Sequence, residues 1–134
     1  MQYWLVKTEP NCWSWAQQVQ DDVTCWDDVK NPEAQKNMRA MKEGDLAFFY
    51  HTGNERCILG TVTIVRTAYP DPSDDQGRRC MVDVQTNSAF KTPVTLKMIK
   101  EDPRLAHLAL VKRGRLSVAP IDQAAWQLIC SWGV

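Results

Sequence analysis

The sequence predicts an α+β fold, a small mixed β-barrel of five or six short strands decorated by short helices. Three observations carry this. Short hydrophobic, strand-like runs recur along the 134 residues, the helical stretches between them are brief, and no internal repeat is present. That the strands do not alternate with long helices argues against a doubly wound parallel sheet. A single domain over residues 1–134 is expected, since a chain of this length closes one core and is too short for two.

Tyr3 to Lys7, aromatic and β-branched, is the first strand, broken at Pro10-Asn11. Ser14-x-x-Gln17 is a capping box that opens a short helix, with Trp15 and Val19 as its apolar anchors. Thr24 to Val29 lacks a clear period and reads as a loop or a short extended piece. Asn31-Pro32 then supplies an N-cap and a first helical residue, and Ala34, Met38 and Met41 follow at helical spacing. After a turn at Lys42 to Asp45, Leu46 to His51 is a strand, 52–56 a hairpin loop and Ile58 to Val65 a second strong strand. Gly60 within it marks a bulge or a close backbone approach. Tyr69 to Asp75 is a loop rich in breakers, and a strand lies near Cys80 to Val84. Val94 to Ile99 passes from strand to helix, with Pro103 closing it, and Leu105, Leu108 and Leu110 suggest a short apolar helix. Leu116 to Ala119 is the last strand. A helix from Ile121 to Trp132 ends the chain, with Asp122 as N-cap.

Sixteen basic and sixteen acidic residues give zero net charge, which argues against a protein that coats nucleic acid by bulk electrostatics. A module that grips one base and touches a few phosphates remains compatible, with Lys36, Arg39, Lys42, Lys112, Arg113 and Arg115 as local cations. No apolar run reaches the roughly 18 residues of a membrane-spanning helix, and the first residues lack the pattern of a signal peptide. A cytoplasmic location and no membrane partner are the expectation. The five cysteines stand at wide spacings, with neither histidine at a metal-ligand interval from them. Reduced, inert thiols are expected, with no metal and no cofactor.

No glycine-rich nucleotide loop and no nucleophile elbow is present. His51 and Cys57 would form a nucleophilic pair only if the hairpin brought them together, and Cys57 opens an apolar strand where a core thiol is the commoner role. No catalytic residue is assigned. A pocket for a flat ring is better supported, because six tryptophans supply stacking faces. Trp4, Trp126 and Trp132 fit core packing, whereas Trp13 and Trp15 fit a pocket wall or a hydrophobic anchor equally well. Trp26, in the polar stretch Asp22 to Lys30, is the candidate pocket ring. Polar groups cluster where strands end: Lys7-Thr8-Glu9, Tyr50-His51-Thr52 and Ser117. Hydroxyls there donate or accept, and Glu9 accepts from an amine. Asn31 has both capacities but also suits a plain cap, and Thr8 a plain turn.

Four phrases, in order, carry a family likeness: Tyr3 to Pro10, Trp26 to Ala34, Met41 to Thr52 and Arg115 to Pro120. Over essentially the whole chain they resemble the EVE domain, a family of the PUA-like superfamily. The resemblance implies a PUA-like barrel and a non-catalytic reader of a modified base, a cytosine or adenine derivative in DNA or RNA. The base would be flipped from its strand, stacked on an aromatic ring and read along its edge. It further implies Trp26 as that ring, with Val29 beside it. Thr8, Glu9, Asn31, Thr52 and Ser117 would contact the edge, and Lys7, Tyr50, His51 and Arg115 would complete the site. Lys7, His51 and Arg115 would there favour a phosphate or an electron-rich substituent. A restriction or RNA-processing protein is the effector partner it suggests. The alternative is a sensor of a free nucleobase, nucleoside or similar anion. The chain departs from the family pattern at Asp28, Lys30 and Pro32, where glycine, arginine and tyrosine are usual.

Overall fold

The computed structural model describes residues 1–133, which form one six-stranded mixed sheet and five short α-helices. Strands β1 (Tyr3–Thr8), β2 (Val23–Trp26), β3 (Leu46–His51), β4 (Cys57–Pro70), β5 (Cys80–Thr95) and β6 (Val118–Ile121) lie in the order β2-β5-β4-β3-β1-β6. Only β1 and β3 run parallel, Tyr3 opposite Leu46 through Thr8 opposite His51. The helices are α1 (Trp15–Asp21), α2 (Pro32–Ala40), α3 (Leu96–Lys100), α4 (Ala109–Lys112) and α5 (Gln123–Gly133), with a 3-10 turn at Pro103–Leu105.

Several local rules act as the sequence predicts. Ser14 and Gln17 form the capping box of α1. Asn31 Oδ1 accepts from the amides of Glu33 (2.9 Å) and Ala34 (3.0 Å), with Pro32 as the first residue of α2. Gly44 takes φ +93°, a turn geometry that glycine adopts without penalty. The adjacent Asp45 carboxylate then collects the Trp4 indole N–H (3.0 Å) and the amides of Lys42 (2.9 Å) and Gln2 (3.2 Å). Burial alone would push that carboxyl up, but these donors outweigh it and hold it below its ordinary value. A Cβ on Gly60 would lie 2.5 Å from the Ser88 carbonyl and from the Trp15 ring, so the glycine marks a close approach as well as a register shift.

Other expectations need correction. β5 runs to Thr95, well past Val84, because its outer half is polar and solvent-exposed and shows no apolar alternation. β4 includes Tyr69 and Pro70, which read as loop. Tyr69 is held there by donating to Asp83 (2.5 Å) beneath the Arg66 guanidinium. Val19 is 48% exposed and anchors nothing, whereas Gln18 is fully buried. Pro103 opens a turn capped by Asp102 and does not close a helix.

The sheet carries a core on each face. One holds Trp4, Val6, Trp26, Met38 and Phe49, and the other Leu5, Phe48, Ile58, Trp126 and Ile129. Adjacent residues alternate between them, as the strand period dictates. α2 fills the space between edge strand β6 and the start of β5. Asn37 donates to the Val118 carbonyl (2.7 Å), while Gln35 donates to Cys80 O (3.1 Å) and accepts from Cys80 N (2.8 Å).

Candidate functional site

A cavity of about 720 Å³ opens where three segments meet: the end of β1 with its following turn, β2 with the loop to α2, and Ser117 ahead of β6. Its size falls in the ~300–1,000 Å³ range of small-ligand sites. The turn is fixed from within, for Glu9 O accepts from the amides of Cys12 (2.9 Å) and Trp13 (3.0 Å). Thr8 Oγ1 donates to Trp13 O at 2.9 Å, which leaves its lone pairs as acceptors. Trp13, half-buried, forms an aromatic wall and donates its indole N–H to Gln18 Oε1 at 2.9 Å.

The opposite wall, Asp27 to Lys30, is a strained loop braced from behind. Asp28 sits at φ +56°, where a side chain is disfavoured and aspartate is among the better tolerated. Its amide donates to Asp71 Oδ2 (3.1 Å), while the buried Asp71 also collects the Ser73 amide (2.9 Å) and hydroxyl (2.6 Å). Burial would raise the Asp71 carboxyl, but these bonds and Arg79 hold it low and charged. Gln35 Nε2 donates to Val29 O at 2.6 Å. The tip of the β4–β5 hairpin and α2 thus hold the loop in place before any ligand arrives.

Trp26 lines the cavity but is only 7% exposed, its ring packed edge-on against Phe49 at 5.5 Å between centroids. It forms a floor, and Trp13 is the more accessible ring. Trp15 packs against Phe49 instead and is an anchor. Glu9, Asp27 and Asp28 put three carboxylates on the lining, against Lys7 and Lys30. Lys7 Nζ donates to Gly114 O (2.9 Å), and burial lowers its pKa. Lys30 Nζ lies 3.9 Å from Asp28.

Of the residues expected from sequence, the structure brings Lys7, Thr8, Glu9, Trp26, Val29 and Ser117 onto this cavity. Asn31, Tyr50, His51, Thr52 and Arg115 lie outside its lining. Asn31 Oδ1 is engaged as a cap. Tyr50 belongs to the core on the other face, because it alternates with Phe49. His51 is 5% exposed, its Nε2 accepting from Trp15 N (2.9 Å), so Nδ1 carries the proton toward Glu55 (3.1 Å). Thr52 donates to the Thr8 carbonyl (3.3 Å), tying β3 to β1, and Arg115 is exposed. His51 does face Cys57 across the hairpin, yet both ring nitrogens are occupied and burial pushes the Cys57 thiol up. That arrangement opposes a thiolate nucleophile.

Sequence reasoning missed Cys12, Thr24, Cys25 and Asp27 as lining, and Asp71 and Gln35 as braces. For Asp71 a signal existed in Asp71-Pro72-Ser73, an Asx-turn pattern. Among the described residues, no three His, Cys, Asp or Glu side chains gather as a metal site, and no helix is long and apolar enough to cross a membrane.

The EVE domain family model matches residues 2–132. Thymocyte nuclear protein 1 of Homo sapiens is 35% identical, over 81% of this chain and 59% of the human protein, and that of Rattus norvegicus 33%, over 96% and 72%. This chain therefore spans less than two thirds of the human relative's length. A Rhodopseudomonas palustris protein solved by NMR superposes with a TM-score of 0.94 at 46% identity, covering 99% of this chain and 93% of that one. Human THYN1, crystallised in complex with 5-methylcytosine-containing DNA, superposes with a TM-score of 0.87 at 30% identity, covering 99% and 98%. The mixed α+β fold is accordingly the PUA-like one.

Proposed function

We infer that this chain, which belongs to the EVE domain family, binds nucleic acid without transforming it and reads one modified base, methylated cytosine in DNA first. The observation that carries this reading is the cavity itself, two indoles on a lining that also presents three carboxylates. A ring entering it meets apolar surface on its faces and acceptors at its edge. Cytosine and adenine offer an exocyclic amine to such acceptors, whereas thymine and uracil present an oxygen there. A methyl group on the ring adds contact with the indoles. Human THYN1, solved with DNA containing 5-methylcytosine and sharing the fold along nearly its whole length, supports the same reading. Flipping the base costs a few kcal/mol, offset by stacking of about 1–3 kcal/mol together with the edge bonds.

Zero net charge and an acid-lined cavity favour one alternative, uptake of a free modified nucleobase or nucleoside. Titration by tryptophan fluorescence separates the two. The reader is expected to be quenched by a 5-methylcytosine oligonucleotide more than by its unmodified or thymine counterpart, with affinity falling as salt rises. Binding of the nucleoside alone, indifferent to salt, would establish the alternative. Equal response to all bases would refute both.

A further inference from the structure

Beside the base pocket lies a second groove of about 660 Å³, and Lys30 lines both. Its walls carry Lys30 and Arg39 on one side and Arg78 and Arg79 on the other, with Asp74 as its lone carboxylate. In a chain with equal numbers of acids and bases, four cations on one groove are a local concentration of charge. Asp28 pairs with Lys30 (3.9 Å) and with Arg79, which leaves Arg39 and Arg78 as the unpaired charge among the described residues, and Asp74 is turned toward the loop behind them. It accepts from the amides of Gln76 (3.2 Å), Arg78 (2.7 Å) and Arg79 (2.7 Å), which build the turn that displays the arginines. Arg79 lies between Asp74 (3.8 Å) and Asp28 (3.5 Å), joining the groove wall to the pocket wall. Arg39 and Arg78 are exposed and make no ion pair among the described residues. The Arg39 guanidinium donates to Arg78 O at 2.5 Å, which fixes its direction across the groove. The first amides of α2 are already capped by Asn31, so an anion here is met by side chains.

We propose that this groove carries the phosphodiester backbone on one side of the flipped nucleotide, with Lys30 at the junction and Arg39 and Arg78 holding the adjoining phosphates. The proposal rests on the base-reading assignment and adds the path of the strand. It accounts for a neutral protein binding a polyanion, since a local track needs only a few neutralised phosphates.

The test is an Arg39→Gln, Arg78→Gln double variant, titrated with a single-stranded DNA oligonucleotide carrying one 5-methylcytosine and, separately, with 5-methyl-2′-deoxycytidine. Arg78→Gln alone serves as the milder variant, its side chain making no hydrogen bond or ion pair among the described residues. A Lys97→Gln, Lys100→Gln variant on a different groove is the control. The double variant is expected to lose about tenfold in oligonucleotide affinity at low salt and to flatten the log–log salt slope by about 1–2. Nucleoside binding and the control should match the unaltered protein. Unchanged oligonucleotide affinity and slope in the double variant, or an equal loss in the control, would overturn the groove while leaving the base pocket standing. Failure of the unaltered protein to bind either probe would remove the base-reading assignment, and the groove with it.

Discussion

Phe48 and Phe49 are neighbours in one strand, yet they serve opposite faces of the sheet with different packing. On the Phe48 face Trp126 stacks at 3.9 Å on Phe48 and 4.6 Å from Tyr3, Phe90 meets Phe48 edge-on at 6.1 Å, and α5 covers the layer. On the Phe49 face the rings of Trp15, Trp26 and His51 meet it edge-on, and the layer runs out into an open cavity. A helix covers the first layer, whereas the second ends at a cavity where Trp13 is the more accessible ring. The face bearing the site is held by buried polar bonds as well as by apolar packing, through Asp45, Asp71 and Gln35.

Substitutions can break that contrast, starting with the closed face. Trp126→Ala removes both stacks and is expected to cost about 3–5 kcal/mol in denaturant unfolding, with ligand affinity unchanged per folded molecule. On the site face, Asp45→Ala strips three donors of their acceptor and should cost about 2–4 kcal/mol. Asp45 also fixes a pH dependence. Its folded-state pKa lies below the ordinary 3.8, so its contribution is complete above that value and lost as pH falls through the folded value. Acid unfolding followed by circular dichroism should show that loss in the unaltered protein and not in Asp45→Asn.

Smaller effects sharpen the comparison. Gly60→Ala drives a methyl into Ser88 O and the Trp15 ring, with an expected cost of about 1–3 kcal/mol read as a lower melting temperature. Trp13→Ala should act on both affinity and stability, losing about 1–3 kcal/mol of base affinity per folded molecule and about 1–3 kcal/mol of stability, because the buried Gln18 Oε1 loses its indole donor. If Trp13→Ala binds normally, the accessible wall is not the stacking surface and Trp26 alone remains. Asp28→Ala keeps the positive φ without aspartate's tolerance of it and should destabilise by about 1 kcal/mol.

The elements governed by local chemistry were legible in the sequence: the capping box of α1, the Asn31-Pro32 start of α2, the apolar run of β3 and the tight approach at Gly60. The outer half of β5 was not, because exposed polar residues such as Asn87 and Ser88 carry no burial pattern and are held by pairing with β4 alone. The site was half legible. Strand ends at Lys7 to Glu9 do reach the cavity, but Tyr50, His51 and Thr52 at the neighbouring strand end do not, their side chains being taken up by the core, the Trp15 amide and the Thr8 carbonyl. Asp28, Asp71 and Gln35 owe their places to contacts across more than 40 residues, the Asp28–Asp71 and Gln35–Cys80 bonds, which no local window contains.

The position of β1 carries a consequence for synthesis. The first strand of the chain is interior to the sheet, flanked by β3 from residue 46 and by β6 from residue 118. On the ribosome its outer edge stays unpaired until Val118–Ile121 emerges, so the sheet is completed only more than 100 residues after β1 is made. A stalled or truncated product ending before β6 would expose that bare edge to other chains, and chaperone occupancy should concentrate on such fragments.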